Sequence, residues 1–127
     1  MEPAPPRMAR LPTDVLIVED DLIIALDFED TITGFGVQRV RTASTVAAAL
    51  QMIAERLPDF ALLDVGLVRE KSFDVAERLA ALNIPFVFVT GYAADAGIPE
   101  AFSGTPRLAK PCSCEALQAA LQRWFNA

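Results

Sequence analysis

Four short apolar runs, at 15–18, 61–63, 86–89 and 108–109, each stop at a polar residue: Glu19-Asp20, Asp64, Thr90 and Lys110. The runs at 15–18 and 86–89 are rich in β-branched and aromatic residues, and all four lack an internal polar alternation, the pattern of strands covered on both faces. Helical periods intervene. Over 22–33, Ile24, Phe28 and Ile32 recur at i, i+4 and i+8, with Asp21 placed to cap the start and Gly34 and Gly36 to end it. Residues 37–42 alternate like a more exposed strand. Ser44 is placed to cap a second helix, whose stripe runs through Val46, Ala49, Leu50, Ile53, Ala54 and Leu57 until Pro58 stops it. A third helix over 72–82 turns Val75, Ala76, Leu79 and Leu82 inward, and Asn83 suits a left-handed terminus. Gly97, Pro99 and Gly104 interrupt 92–105, which supports at most a short helix. A last helix over 113–125 carries Leu117, Ala120, Leu121 and Trp124 on one face.

Strands at 14–19, 37–42, 59–64, 86–89 and 107–109 thus alternate with about five helices. The expected architecture is α/β: a doubly wound, five-stranded parallel sheet in the order 2-1-3-4-5, with helices on both faces. Residues 1–12, with Pro3, Pro5, Pro6 and Pro12, read as a flexible tail, and 13–127 as one domain. In this order the first and third strands are neighbours, and the carboxyl ends of all five share one rim.

Composition narrows the chemistry. The 127 residues carry a formal net charge of −6 and show no basic stripe with interleaved aromatics, so no nucleic-acid role is expected. Histidine is absent, which excludes Ser-His-Asp and Cys-His catalysis and His-based zinc sites. Cys112 and Cys114, one residue apart, match neither redox nor zinc spacing and read as reduced thiols. No apolar run approaches the ~18 residues needed to span a bilayer, and no signal-peptide core precedes the domain. A cytoplasmic location is expected.

At the rim, Glu19-Asp20 and Asp64 would face one another. Carboxylates packed so closely repel and call for a cation, and Mg2+, a hard ion held by oxygens, is the natural choice. Taken singly, each residue has an ordinary explanation: Glu19-Asp20-Asp21 ends a strand and caps a helix, Asp64 and Thr90 are turn residues, and Lys110 is a solvated cation before Pro111. All of them at four strand ends on one rim form a different kind of set. An acyl phosphate on Asp64 would need a metal, an ammonium and a hydroxyl around its oxygens, and all three are supplied.

Over roughly residues 13 to 127 the chain resembles a response-regulator receiver domain. The acidic pair of that family matches Glu19-Asp20 in Val-Leu-Ile-Val-Glu-Asp-Asp, the phosphoacceptor Asp64 in Leu-Leu-Asp-Val, the hydroxyl Thr90, and the Lys-Pro pair Lys110-Pro111. The resemblance implies the flavodoxin-like fold and a Mg2+ site of Glu19, Asp20, Asp64 and the carbonyl of Gly66. It also implies a phosphorelay role for a stand-alone regulator: a sensor histidine kinase or phosphotransfer protein as donor, a downstream protein partner, and no enzymatic activity beyond self-phosphorylation and self-dephosphorylation. The run 86–92, Phe-Val-Phe-Val-Thr-Gly-Tyr, is similar to a subgroup bearing a Phe-Ala-Thr-Gly signature, common among alphaproteobacterial stand-alone receivers that work with HWE-type kinases. Val89 replaces the Ala of that signature.

Two departures stand out. Arg107 occupies the position three before Lys110 where many receivers carry an aromatic that moves with the hydroxyl. Gly66 and Tyr92 occupy positions that tune phosphate lifetime in the family, and both favour a longer-lived acyl phosphate. Leu22, Ile23 and Leu26 read first as a wide buried face of the first helix and second as a kinase-docking surface. Rival functions are weaker. A haloacid-dehalogenase-type hydrolase would want an acid where Gly66 stands, and a pseudo-receiver acting purely as a protein-interaction module would be expected to have lost a site residue. A nucleotide-binding module would need a glycine-rich phosphate loop after the first strand.

Overall fold

The computed structural model describes residues 11–67, 70–91 and 97–123. Five parallel strands form its centre: β1 (Asp14–Val18), β2 (Arg39–Ala43), β3 (Phe60–Asp64), β4 (Phe86–Thr90) and β5 (Arg107–Ala109), in the order β2-β1-β3-β4-β5. Four α-helices connect or follow them: α1 (Leu22–Gly34), α2 (Val46–Glu55), α3 (Phe73–Ala81) and α4 (Cys114–Gln122). All five residues of β1 and all five of β3 are buried, as their unbroken apolar pattern requires.

The pleat sends alternate residues into two cores. Val15, Ile17, Leu62, Val87 and Val89 pack with Phe28 and Ile32 of α1 and Leu117 and Leu121 of α4. On the other face Leu16, Val18, Leu63 and Phe88 pack with Ala49 and Ile53 of α2 and Val75 and Leu79 of α3. The register sets Val18 beside Leu63, Asp64 beside Val89 and Thr90 beside Ala109, so the strand ends form a common rim.

The opposite end of β1 is fastened by charge. Asp14 is 4% exposed, and Arg39, Arg41 and Arg56 approach it at 3.9, 3.1 and 3.3 Å. The other donors of Arg41 reach the carbonyls of Met52 and Arg56 at 3.1 and 2.9 Å, tying the end of α2 to β1. The Asp59 carboxylate accepts from the Thr13 and Asp14 amides, each at 3.0 Å.

Local expectations hold in part. Asp21 caps α1 by accepting from the Ile23 and Ile24 amides, and Asn83 adopts φ 59° after α3. The second helix is capped by Thr45 rather than Ser44: its hydroxyl accepts from the Ala48 amide, which places the first helical residue at Val46. Leu57 is exposed because α2 closes at Glu55, before the stripe reaches it, and Leu82, the residue that closes α3, is likewise turned outward. Among the described residues of 92–105 the helical content is a single 3-10 turn, Glu100–Phe102, so a full fifth helix is not found there. The face of α1 bearing Leu22, Ile23 and Leu26 is exposed (71%, 79% and 54%), because the helix meets the sheet through Ala25, Phe28 and Ile32; the wide buried face is not formed. No described helix is long and apolar enough to cross a membrane. Residues 1–10 of the tail, Tyr92 and the end of the last helix at Trp124 and Phe125 lie outside the described residues.

Candidate functional site: an acidic rim with one ammonium

The site is built from residues standing at or just past the end of a strand. Glu19 follows β1, and its amide donates to the Ala43 carbonyl at 3.0 Å, one last bond in the β1–β2 ladder direction. Asp64 closes β3, and the Val65 amide then reaches the Val89 carbonyl at 3.1 Å. Thr90 closes β4, and its carbonyl accepts from the Lys110 amide at 2.7 Å. Main-chain bonds therefore set the spacing of the carboxylate, hydroxyl and ammonium, and the side chains need to supply only the chemistry.

Carboxylate oxygens of Glu19, Asp20 and Asp64 lie within 4.8 Å of one another. Glu19 and Asp64 are 2% and 6% exposed, and Asp20 is partly exposed. The Lys110 ammonium sits between two of them, donating to Glu19 Oε1 at 2.8 Å and lying 3.4 Å from Asp64 Oδ1. The second oxygen of Glu19 accepts from the Asp21 amide at 3.1 Å, and Asp64 Oδ1 accepts from the Gly66 amide at 3.2 Å. Thr90 is buried and its hydroxyl donates to the Leu108 carbonyl at 3.4 Å, toward β5.

Burial dominates the electrostatics of Glu19. It pushes the carboxyl up to about 7, against the pull of Lys110 and the Asp21 amide, and the neighbouring Asp64 adds to the rise. Burial works against the charge on Lys110, but the carboxylates of Glu19 and Asp64 outweigh it and hold the ammonium above its ordinary value. The rim thus groups three carboxylates, two of which are in contact with Lys110.

This donor set fits a small hard cation. All three side chains offer oxygen, and around Mg2+ at about 2.1 Å octahedral ligands stand about 3 to 4 Å apart. Oxygens within 4.8 Å of one another reach that spacing by side-chain rotation alone.

Every site residue named from the sequence, Glu19, Asp20, Asp64, Gly66, Thr90 and Lys110, lies on this rim. Two contacts were not readable there. The Asp21 amide, held in place by the helix cap, serves Glu19. Glu70, beyond β3, accepts from the Val46 amide at 2.9 Å; its partner lies 24 positions away, and no periodicity signals such a pairing. Beside the rim, Ile23, Ile24 and Phe28 of α1 and Gly91, Lys110, Pro111 and Cys112 line a groove of about 550 Å³.

Known proteins resemble this chain in sequence and fold. A family model for the response regulator receiver domain matches residues 15–122. The phyllosphere-induced regulator PhyR of Methylorubrum extorquens is 32% identical over 87 residues, covering 66% of this chain and 33% of that protein. The polar-differentiation response regulator DivK of Brucella anthropi is 31% identical over 87 residues, covering 65% of the chain and 70% of DivK. The solution structure of SdrG from Sphingomonas melonis Fr1 superposes with a TM-score of 0.78 at 41% identity, covering 89% of this chain and 96% of SdrG. The chain spans about a third of the length of PhyR. By its fold, its rim and the match over residues 15–122, the chain belongs to the family of response regulator receiver domains.

Proposed function

We propose that the domain accepts a phosphoryl group on Asp64 from a phosphohistidine and signals through protein partners. Receiver domains are signalling modules rather than enzymes, and the only chemistry assigned to this one is the formation and loss of its own acyl phosphate. The observation that carries the reading is the grouping of Glu19, Asp20 and Asp64 around Lys110, with Thr90 on the adjacent strand end.

An Asp64 carboxylate oxygen attacks phosphorus, the phosphorus–nitrogen bond of the donor breaks, and the imidazole leaves with the bond electrons. Lys110, already 3.4 Å from Asp64 Oδ1, is placed to pair with a phosphoryl oxygen. Mg2+, when bound by Glu19, Asp20, Asp64 and the Gly66 carbonyl, supplies neutralisation of the phosphoryl oxygens. Thr90 must give up the Leu108 carbonyl before its hydroxyl can donate to the phosphoryl group, so phosphorylation shifts the contact between β4 and β5. The added charge of about −1.5 to −2 biases that shift. Arg107, at the start of β5 and in register with Phe88, stands where other receivers carry an aromatic, so here the readout has a different side chain to move.

The exposed Leu22, Ile23 and Leu26 of α1, beside the groove, form the surface we assign to the phosphodonor, a sensor kinase of the HWE type or a phosphotransfer protein. A cytoplasmic location goes with such donors. The pseudo-receiver alternative is not favoured, since no site residue is missing.

Acetyl phosphate with Mg2+ tests the reading. Label labile to both hot acid and base is expected on the wild-type chain and none on Asp64→Asn. Acid-stable label, or label that persists in Asp64→Asn, overturns it.

A further inference from the structure

The amino-terminal ends of β1 and β2 carry more positive charge than their buried acid requires. Asp14 Oδ1 accepts from Arg41 Nε at 3.1 Å, and one guanidinium is enough to neutralise one carboxylate. Arg39 and Arg56 nevertheless face the other oxygen, Oδ2, with their Nε atoms at 3.9 and 3.3 Å, and Oδ2 accepts no hydrogen bond from either. Both side chains are about half exposed, whereas Arg41 is mostly covered. The two outer cations repel Arg41 and each other and, being largely hydrated, add little stability. Nearby acids do not take them up. The Asp59 carboxylate accepts from the Thr13 and Asp14 amides, and Glu55 accepts from the Gln51 side chain at 3.4 Å.

An exposed apolar side chain stands beside them. Leu57 follows Arg56, and its backbone is fastened on both sides. The Arg56 amide donates to the Met52 carbonyl at 3.0 Å, the Arg56 carbonyl accepts from Arg41 Nη2 at 2.9 Å, and the Asp59 amide donates to the Asp14 carbonyl at 2.8 Å. Arg39 is held in the same way, its amide donating to the Thr13 carbonyl at 2.9 Å. A ligand that lands here therefore has to order side chains but not backbone, which keeps the cost of binding low. Charge selects the kind of ligand. The chain as a whole carries a formal −6, so an acidic ligand is disfavoured over much of the surface, while here it meets two guanidinium forks that match carboxylates two N–H groups at a time.

We propose that Arg39, Arg56 and Leu57 form a docking surface for an acidic segment of a partner protein, one in which Asp or Glu side chains flank an apolar residue. Each guanidinium takes a carboxylate, and the apolar residue covers Leu57. The surface lies at the opposite ends of the strands from the rim, so a partner bound there leaves Asp64 open to its donor. The inference does not depend on Asp64 as acceptor.

The experiment titrates isotope-labelled full chain with the synthetic peptide Glu-Asp-Leu-Glu-Asp-Leu-Glu and follows amide NMR shifts. Its uncharged counterpart, Gln-Asn-Leu-Gln-Asn-Leu-Gln, serves as control. Saturable shifts are expected over 39–41 and 56–59 with the acidic peptide and none with the uncharged one. Arg39→Gln and Arg56→Gln are each expected to weaken binding about fivefold, and the double variant to abolish it. Arg56→Lys keeps the charge without the fork and is expected to bind about twofold to threefold more weakly than wild type. Arg41 still neutralises Asp14 in every variant, so the wild-type spectrum is expected to persist away from the two segments, which separates lost docking from lost folding. No saturable shift, equal shifts with the uncharged peptide, or wild-type affinity in the double variant overturns the inference. The same shifts produced by raising the protein concentration alone also overturn it, because the occupant is then a second copy of this chain.

Discussion

Replacing Lys110 with Met removes the ammonium shared by Glu19 and Asp64 while keeping most of the side chain's bulk. Its contacts at 2.8 Å to Glu19 and 3.4 Å to Asp64 correspond to gross attractions of about 6 and 5 kcal/mol at an effective dielectric near 20, largely offset by desolvation. Removing one partner of a buried pair costs about 3–5 kcal/mol, and because Lys110 keeps 23% of its side chain exposed the lower end applies. A loss of about 3 kcal/mol in a domain of this size lowers Tm by about 10–15 °C.

The pH dependence has a definite sign. Glu19 is already raised from 4.5 to about 7 by burial, and Lys110 is what pulls it down, so the variant raises it further. Between its ordinary value and its raised folded value, the folded state holds a proton that the unfolded state has lost. Stability therefore falls as pH rises through that window. The Tm gap between wild type and Lys110→Met is expected to be wide at pH 8 in EDTA and narrower at pH 5. Mg2+ is expected to narrow it at pH 8, since a divalent cation takes over the neutralising charge. Circular dichroism melts under these three conditions make the test. A variant as stable as wild type in EDTA at pH 8, or a gap that ignores pH, refutes the idea that Lys110 balances these carboxylates.

Two further outcomes are expected. Arg41→Lys keeps the charge near Asp14 but loses the fork that reaches the Met52 and Arg56 carbonyls, so unfolding in urea should show a stability loss of about 2 kcal/mol rather than rescue. Gly66→Asn should fold with unchanged Tm, because a Cβ there meets nothing within 4 Å, yet shorten the acyl-phosphate half-life by adding a side chain able to orient water; an unchanged decay rate would remove Gly66 as a determinant of lifetime.

The sheet was legible in the sequence because its strands are short, continuous and buried, and because right-handed crossovers leave few ways to order them. The rim followed, since each site residue stands directly after an apolar run. Legibility faded where a choice depends on a distant group. Ser44 and Thr45 are adjacent hydroxyls of similar capping strength, and geometry selects Thr45, with Glu70 supplying the Val46 amide from the other loop. Leu22, Ile23 and Leu26 share the apolar character of Phe28 and Ile32, and only the angle at which α1 lies on the sheet turns them outward. Arg41 reads as an ordinary edge-strand cation, and its hold on α2 exists only once β1, β2 and α2 are assembled.

β1 begins and ends in buried acid, and the two ends are oppositely balanced. At its start, Asp14 lies among Arg39, Arg41 and Arg56; past its end, Glu19 and Asp64 share Lys110, with Asp20 beside them. Among these contacts, cations outnumber acids at one end of the strand and acids outnumber the cation at the other. On the proposed reading of Asp64 as acceptor, an anionic phosphodonor has to approach the carboxylate-rich end. On that reading, a donor's protein surface, or a cation bound at the rim, has to offset the repulsion between those carboxylates and the phosphoryl group.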